Sequence, residues 1–339
     1  MPEPVEVLIT LPFPEALVEQ LRSVSSRLHI TVHRARSAEE VPDSMWQRTE
    51  VLYTNRVLPA PSKAPNLRWI QFHWAGVDHA IEDPILEKPG LVATTLSGAA
   101  APQMAEYTLM MLLALGHNLR EMIEHQQRKE WPKDRWERFS PKELSESTVG
   151  IVGYGSIGRE VARLLSAFGA TVLATKREVM HPEDDGYSPK GLGDPTGELP
   201  RRLYPPQARV SMLKECDYVV ITVPLTSETK GMIGAEEISA LKEGAYLVDV
   251  SRGEVVDHEA LITALRERRL GGVAFDVFPE EPLPEDSPLW NFPNVIISPH
   301  ISGNTPYYDE RAVALFSENL QRYLADLPLY NIIDPKRGY

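Results

Sequence analysis

A strand–turn–helix–strand pattern near the middle of the chain constrains its fold most. A β-branched run at 148–152 is followed by Gly153, Gly155 and Gly158, spaced as G-x-G-x-x-G, then by apolar residues at helical spacing and a second β-branched run at 171–175. In a βαβ unit the first glycine permits a tight turn, the second lets the backbone approach a pyrophosphate, and the third lets the helix pack on the strand. The helix N-terminus adds free N–H groups for phosphate oxygens. The pattern therefore predicts a Rossmann-type dinucleotide site rather than an ordinary glycine turn, with a methyl-donor nucleotide as the main alternative ligand.

The end of the second predicted strand bears on which dinucleotide binds. NAD sites carry an acidic residue there, about 20 residues past the glycine motif, which binds the adenine ribose hydroxyls. In this chain the positions hold Lys176 and Arg177. Two cations favour a ribose 2′-phosphate, which arginine can bind in fork geometry. We therefore predict NADP (NADPH) as the favoured cofactor, with NAD as the second choice. The alternative interpretation is a solvated basic strand end.

Length and composition narrow the class of protein. A chain of 339 residues exceeds one ordinary core, so we expect two domains. The formal net charge of −13 argues against nucleic acid or an anionic membrane as a partner. Cys216 is the sole cysteine, which fits a cytoplasmic location, and the start MPEPVEV is not typical of a signal peptide. The longest apolar stretch, at 109–115, is too short for a membrane span.

The first hundred residues alternate short apolar runs with helical patterns, which predicts a parallel α/β sheet. The predicted strands are 5–10, 28–32, 51–54, 67–72 and 91–95, with a helix at 14–24. Ligands bind beyond the carboxyl ends of such strands, which draws attention to Asn55 and to the turn Ala75, Gly76 and Val77. Consecutive N–H groups in this turn would suit a carboxylate, and a plain turn is the alternative. Trp74, just before the turn, either faces a substrate or lies in the core.

The middle of the chain is expected to lead from one domain into the other. The small residues at 97–102 precede an apolar helix at 103–115, so we place the first crossing there. The next segment, 118–142, is polar, and we expect Trp131 and Trp136 to anchor it as a surface cover. Residues 177–207 contain six prolines and four glycines. This predicts a structureless insertion, either a surface excursion with no role in chemistry or a segment that shapes the phosphate side of the cofactor site.

Four further apolar runs predict the rest of the second sheet. They are 218–223, 246–250, 272–277 and 295–298, and a helix at 306–325 is expected to return to the first domain. Arg252, Glu281 and His300 follow three of these runs, so they should lie on one rim of one sheet. A lone histidine is more often structural, but an arginine, a carboxylate and a histidine together suit hydride chemistry on a carbonyl.

Taken together, these motifs resemble the D-isomer-specific 2-hydroxyacid dehydrogenase family, which includes glyoxylate/hydroxypyruvate reductases and 3-phosphoglycerate dehydrogenases. The resemblance covers nearly the whole chain and rests on GIVGYGSIG, VPLTSETKGMI, LVDVSRGEVVD, AFDVFPEEPLP, SPHISGNT and NIIDPKRGY, in that order. It implies an α/β fold of two Rossmann-like domains with a cleft between them. One is a flavodoxin-like substrate domain at 1–100 and 303–339, and the other is a doubly wound NAD(P)-binding domain at 101–302. Residues 330–339 are then expected to pack on the substrate domain.

The resemblance also implies an activity, the NAD(P)-dependent interconversion of a D-2-hydroxy acid and its 2-keto acid, with Arg252, Glu281 and His300 as the catalytic residues. His300 would exchange a proton with the carbonyl oxygen, Glu281 would hold the ring and favour the imidazolium, and Arg252 would bind the substrate carboxylate and polarise the keto oxygen. Together with the strand-end argument, this predicts a substrate site formed by Asn55, Trp74, Ala75, Gly76, Val77, Arg252 and His300.

Cofactor contacts follow from the same resemblance. They are Met104, Tyr154, Gly155, Ser156, Ile157, Thr222, Val223, Pro224, Thr229, Val250, Ser251, Arg252, Asp276, His300, Ser302 and Gly303, to which the strand-end argument adds Lys176 and Arg177. Asp276 would accept from the nicotinamide amide, or equally serve as a cap. The family pairs as homodimers through the cofactor domain, here the region 103–136. No metal ligand spacing is present among the nine histidines, so no metal is predicted.

Three rival functions share this fold. Formate dehydrogenases carry glutamine where Glu281 stands, which argues against that activity. A phosphite dehydrogenase retains a similar arginine, glutamate and histidine, so these residues leave it open. A dinucleotide-sensing corepressor is a binding protein of the same fold, and the intact catalytic set weakens that interpretation.

Overall fold

The computed structural model describes residues 3–334 and 337–338, which divide into two compact units. Unit 1 comprises the residues up to Ala100, Asp185–Tyr187 and the residues from Thr305 onward, and unit 2 comprises Ala101–Asp184 and Ser188–Asn304. The predicted fold class, α/β with two Rossmann-like domains, is confirmed, since each unit is built on a parallel sheet.

Unit 1 has the flavodoxin-like strand order β2-β1-β3-β4-β5. Its strands are β1 Val5–Ile9, β2 Leu28–Val32, β3 Val51–Thr54, β4 Trp69–Phe72 and β5 Val92–Thr94. Its helices are α1 Glu15–Arg22, α2 Asp43–Arg48 and α10 Tyr308–Leu324. Strands β3 and β4 are buried along their whole length, as expected where helices cover both faces of a parallel sheet.

The C-terminal tail adds to unit 1. Ile333 is buried, and its N–H donates to the Ala93 carbonyl at 2.8 Å, so this part of the predicted 330–339 segment packs on the first domain. Pro335, Lys336 and Tyr339, which belong to the same prediction, lie outside the described residues.

Unit 2 is a seven-stranded parallel sheet in the order β12-β11-β10-β9-β6-β7-β8, a doubly wound Rossmann arrangement. Its strands are β6 Thr148–Val152, β7 Thr171–Thr175, β8 Arg202–Tyr204, β9 Tyr218–Ile221, β10 Ala245–Asp249, β11 Leu270–Phe275 and β12 Val295–Ile297. Its helices are α3 Ala101–Gly116, α4 Leu119–Arg128, α5 Arg135–Arg138, α6 Ser156–Ala167, α7 Arg209–Leu213, α8 Ala235–Ala240 and α9 His258–Arg266.

Two expectations about the middle of the chain are wrong. Trp131 and Trp136 do not anchor the segment 118–142 to the described part of the chain, because 84% and 81% of their surfaces are exposed. The insertion is not structureless, because it ends in β8, whose Leu203 pairs with Ala174 of β7. A three-residue strand is too short to show a periodic pattern, and its pairing with β7 is what orders it.

Candidate active site

The glycine-rich turn between β6 and α6 has the geometry that a bound pyrophosphate needs. Gly153 has φ +105°, and a Cβ on Gly158 would lie 2.3 Å from the Gly153 carbonyl oxygen, so both positions exclude a side chain. A Cβ on Gly155 would instead meet no atom within 4 Å, because this glycine borders open space at the start of α6. The turn therefore leaves a space that a side chain at Gly155 would partly fill and that a dinucleotide pyrophosphate can occupy. The N-terminus of α6, with its free N–H groups, borders the same space.

The other predicted cofactor residues follow the carboxyl ends of successive strands. Thr222 comes after β9, and its hydroxyl donates to the Gly153 carbonyl at 2.7 Å, which ties two adjacent strand ends together. Thr229 closes the turn that follows, donating to the Pro224 carbonyl at 2.6 Å. Gln103, next to Met104 in α3, donates to the Gly303 carbonyl at 2.8 Å. One sheet edge thus carries Tyr154, Gly155, Ser156, Ile157, Thr222, Val223, Pro224, Val250, Ser251, Asp276, Ser302 and Gly303.

The end of β7 carries the two predicted phosphate ligands. The Lys176 ammonium donates to the Glu183 carbonyl at 2.7 Å, and the Arg177 guanidinium forms an exposed ion pair with Glu228 at 3.0 Å. No carboxylate follows β7 directly in the sequence, where an NAD site would place one.

His300 and Glu281 come together directly. His300 Nδ1 lies 2.8 Å from Glu281 Oε2, and the other oxygen of this carboxylate accepts the Phe278 N–H at 3.0 Å. An ionised carboxylate only accepts hydrogen bonds, so Nδ1 carries the hydrogen and Nε2 is left to exchange a proton with a ligand. His300 is about half exposed, as proton exchange with a substrate requires.

The loop that carries His300 is held in place by hydrogen bonds to the Asp276 carboxylate. His300 has φ +53°, a left-handed conformation uncommon outside glycine. Asp276 is fully buried and accepts the N–H groups of Ile301 and Ser302 at 2.8 and 2.7 Å and the Ser298 hydroxyl at 2.7 Å. These three accepted bonds make Asp276 a cap of this loop, and the contact with a nicotinamide amide stays a prediction.

Arg252 follows β10, the strand that pairs with β11. Its guanidinium donates to the Ser251 carbonyl at 2.8 Å, and the Ser251 hydroxyl and N–H both donate to Asp249 Oδ1, at 2.6 and 2.8 Å. Asp249 is fully buried, and its Oδ2 has no hydrogen-bond partner within the part of the chain that the structure describes. Burial raises the pKa of Asp249 to about 7, because the charged form loses its hydration.

The remaining predicted substrate residues belong to unit 1. Asn55 follows β3 and Trp74 follows β4, and Thr54 pairs with Phe72, so both lie at the carboxyl edge of that sheet. Trp74 is 43% exposed, which settles its position on the surface rather than in the core. Its ring packs on Tyr308 with centroids 4.9 Å apart. After Trp74, the predicted turn residues Ala75, Gly76 and Val77 lead into a turn over 77–80, in which the Ala80 N–H donates to the Val77 carbonyl at 2.9 Å.

Sequence reasoning missed several residues that support this geometry. Asp249 gave no signal beyond an aspartate at a strand end, and its burial depends on the whole sheet. Tyr107 of α3 hydrogen-bonds Ser298, although 191 positions separate them. Among the described residues, no group of three or more His, Cys, Asp or Glu side chains is placed to hold a metal ion. No helix in the described ranges is both long and apolar enough to cross a bilayer.

Comparisons with known proteins identify the family of this chain. The family model "D-isomer specific 2-hydroxyacid dehydrogenase, NAD binding domain" matches residues 109–302. A glyoxylate reductase from Thermofilum pendens is 34% identical over 259 residues, which are 76% of this chain and 72% of that protein.

Two solved structures extend the likeness over the whole chain. A D-isomer specific 2-hydroxyacid dehydrogenase from Xanthobacter autotrophicus Py2, in complex with NADPH and MES, has a TM-score of 0.81 and 27% identity, with 100% of each chain covered. A probable 2-hydroxyacid dehydrogenase from Rhizobium etli CFN 42, in complex with NADP, HEPES and L(+)-tartaric acid, has a TM-score of 0.76 and 25% identity, with 99% of this chain and 100% of that one covered. The chain therefore belongs to the D-isomer specific 2-hydroxyacid dehydrogenase family and is a nicotinamide-dinucleotide oxidoreductase that acts on a CH–OH group.

Proposed function

We propose that this protein is an NADPH-dependent reductase that converts a small 2-keto acid to the D-2-hydroxy acid, with His300 as the general acid and base. The observation that carries the proposal is the 2.8 Å contact between His300 Nδ1 and Glu281, on the sheet edge that also holds Arg252 and the glycine-rich turn. An oriented imidazole, an arginine and a dinucleotide cradle are the parts that reduction of a carbonyl needs.

Each side chain has one task in this reaction. When bound, NADPH supplies the hydride that reduces the keto carbon. His300 gives the proton on Nε2 to the carbonyl oxygen, and Glu281 stabilises the imidazolium before this transfer through its contact with Nδ1. Arg252 binds the substrate carboxylate and polarises the keto oxygen, because a guanidinium can donate to both groups. In the oxidation direction His300 takes the hydroxyl proton.

The substrate carboxylate is proposed to bind the turn at Ala75, Gly76 and Val77, with Asn55 and Trp74 beside it. The Asn55 side-chain oxygen is buried and has no hydrogen-bond partner within the described residues. It is an acceptor, so it suits a donor such as water or a substrate hydroxyl and not the carboxylate itself. Such an atom costs free energy unless a ligand or water satisfies it. Glyoxylate is the keto acid that the name of the T. pendens relative indicates.

The preference for NADPH over NADH is supported by the cations at the end of β7. Lys176 and Arg177 occupy the place of the NAD-specific acid, and the X. autotrophicus and R. etli structures are complexes with NADPH and NADP. NAD remains the second choice.

A homodimer is proposed through the region 103–136. Exposed large apolar side chains are concentrated there: Met110, Leu119, Met122, Ile123, Trp131 and Trp136 are each at least 37% exposed. Subunit interfaces are typically enriched in such side chains. The cytoplasm is the proposed location, because the sole cysteine leaves no intramolecular disulfide to form.

The test has two assays, NADPH oxidation with glyoxylate, hydroxypyruvate and phenylpyruvate, and NADP+ reduction with phosphite, each in wild type and His300→Ala. We expect turnover of at least one keto acid and a loss on the order of 10²-fold or more in kcat for the variant. His29→Ala is the matched control, because it also removes a histidine paired with a glutamate, Glu6, at 3.1 Å. Near-normal activity of His300→Ala would refute the assignment. Turnover of phosphite alone would favour the phosphite dehydrogenase, and NADPH binding without turnover would favour the corepressor.

A further inference from the structure

The insertion between β7 and β8 is fastened to α6 by a buried arginine. Arg159, directly after the last glycine of the turn, is 2% exposed. Its guanidinium donates to the carbonyls of Pro182, at 2.6 Å, of Glu183, at 3.2 Å, and of Asp194. It also lies 3.4 Å from the Asp184 carboxylate. A buried guanidinium is tolerated only when it is paired and hydrogen-bonded, so these contacts fix the path of residues 182–184.

A second buried group fixes the other arm of the insertion. Asp194 is 5% exposed and accepts the N–H groups of Gly197, Glu198 and Leu199 at 3.1, 3.2 and 3.0 Å, and the Tyr154 hydroxyl at 2.5 Å. Burial alone would raise the pKa of Asp194, but these hydrogen bonds outweigh it and leave the pKa below its ordinary value. The carboxylate is thus charged and satisfied, and the insertion has one defined conformation on the cofactor-binding helix.

The first of these arms, residues 182–184, reaches the end of β7 at one atom. The Glu183 carbonyl oxygen that accepts from Arg159 at 3.2 Å also accepts from the Lys176 ammonium at 2.7 Å. The lysine is therefore held by a backbone group whose position depends on Arg159. A long side chain that is already held in place loses less conformational entropy when it binds a ligand.

From this shared carbonyl we infer that Arg159 is a positioning residue for cofactor selectivity: through Glu183 it holds the Lys176 ammonium in place for the 2′-phosphate of NADPH. Arg159 is also paired with the Asp184 carboxylate at 3.4 Å, next to the Glu183 carbonyl in the sequence. The inference rests on the proposed preference for NADPH. It gives the insertion a role in recognition of the adenosine end.

Arg159→Met tests this by removing the donors while keeping an unbranched apolar stem. Dissociation constants for NADPH and NADH are measured by isothermal titration calorimetry without substrate. We expect the affinity for NADPH to fall by about tenfold, the size of one hydrogen bond to a charged group, and that for NADH to stay within about twofold. Arg269→Met is the matched control, because Arg269 also donates to two backbone carbonyls, those of Ser239 and Leu241, and should leave both affinities unchanged.

A double variant separates positioning from general damage. If Arg159 acts through Lys176, then Arg159→Met should cost little further NADPH affinity in a Lys176→Met background, because the two effects are not additive. Additive losses in the double variant would overturn the inference. Should Arg159→Met fail to fold, Asp194→Asn is measured in the same two backgrounds, since an amide nitrogen cannot accept from Tyr154 or Leu199.

The outcomes distinguish this inference from the proposed function. In one outcome, wild type binds NADPH more tightly than NADH, and folded Arg159→Met keeps the same ratio of the two dissociation constants. This outcome overturns the inference and leaves the proposed cofactor preference standing. Wild type that binds NADH as tightly as NADPH refutes the preference, and the inference with it.

Discussion

Replacing Asp249 with asparagine should stabilise the protein above neutral pH and change it little in acid. Asp249 is fully buried at the end of β10, and within the described chain its Oδ2 has no hydrogen-bond partner. Asparagine has nearly the same shape and keeps an oxygen for the Ser251 hydroxyl and N–H, which donate to Asp249 Oδ1 at 2.6 and 2.8 Å. The substitution therefore removes the titrating group and leaves the packing in place.

The magnitude follows from the pKa of Asp249, which burial raises from 3.8 in its ordinary state to about 7 in the folded protein. The folded protein then binds the proton more tightly than the unfolded chain, so stability falls as the pH rises from about 4 to about 7. A difference of about three pKa units corresponds to about 4 kcal/mol at pH 8, as an upper limit, and to about 1 kcal/mol at pH 4.5. Asparagine does not titrate, so the variant loses no stability from this ionisation at either pH.

The assay is differential scanning calorimetry of wild type and variant at pH 4.5 and pH 8. The gain of Asp249→Asn should be larger at pH 8 by about 3 kcal/mol, which is roughly 10 °C in midpoint for a unit of about 200 residues. Asp217→Asn is the control of opposite sign. Burial alone would raise the pKa of Asp217, but hydrogen bonds from the Thr148 N–H, Lys142 and Lys242 lower it. That variant should be destabilised at both pH values. An equal shift of Asp249→Asn at pH 4.5 and pH 8 would refute the reasoning.

Three further predictions concern the cofactor cradle, the catalytic pair and assembly. Gly155→Ala should keep the thermal unfolding midpoint of wild type but bind NADPH more weakly in calorimetry. Gly158→Ala should instead lose stability, because its Cβ would lie 2.3 Å from a carbonyl oxygen. Equal behaviour of the two variants would contradict this prediction. Glu281→Gln should lower kcat by on the order of 10²-fold and alter the pH–rate profile, since an amide stabilises the imidazolium less; an unchanged profile contradicts it. Replacing Trp131 and Trp136 with serine should shift light-scattering mass toward the monomer, and an unchanged mass would refute the proposed interface.

Regular elements were predictable where the physical cause is local. The strands β6 and β7 and the helix α6 follow from β-branched runs, helical spacing and three glycines within thirty residues. The same argument located most strand ends, and with them the sheet edge that carries Arg252 and His300. It failed for β8, because three residues carry no pattern. It also failed for Trp131 and Trp136, which were expected to anchor a surface cover and are 84% and 81% exposed in the described structure.

The supporting residues of the site were not predictable, because their roles depend on contacts distant in sequence. Arg159 and Asp194 are 35 positions apart, and either alone reads as an ordinary surface charge. The pKa of Asp249 is raised because the completed sheet buries it, and one of its oxygens has no hydrogen-bond partner within the described residues. The sequence shows the residue type, whereas burial and pairing are properties of the assembled unit.

The two carboxylates around His300 act on different parts of the same residue. Asp276 binds backbone N–H groups on the C-terminal side of residue 300 and the hydroxyl of Ser298 on the other, so it holds the main chain in a left-handed conformation that costs free energy for a non-glycine residue. Glu281 binds the ring, so it sets which nitrogen carries the hydrogen. Neither task can replace the other. Without Asp276, the loop could relax and Nε2 would point elsewhere, even with the hydrogen on Nδ1. Without Glu281, the loop would stay in place but the hydrogen could sit on either ring nitrogen. This division explains why one of the carboxylates is fully buried and the other is partly exposed beside the imidazole that we propose as the general acid and base.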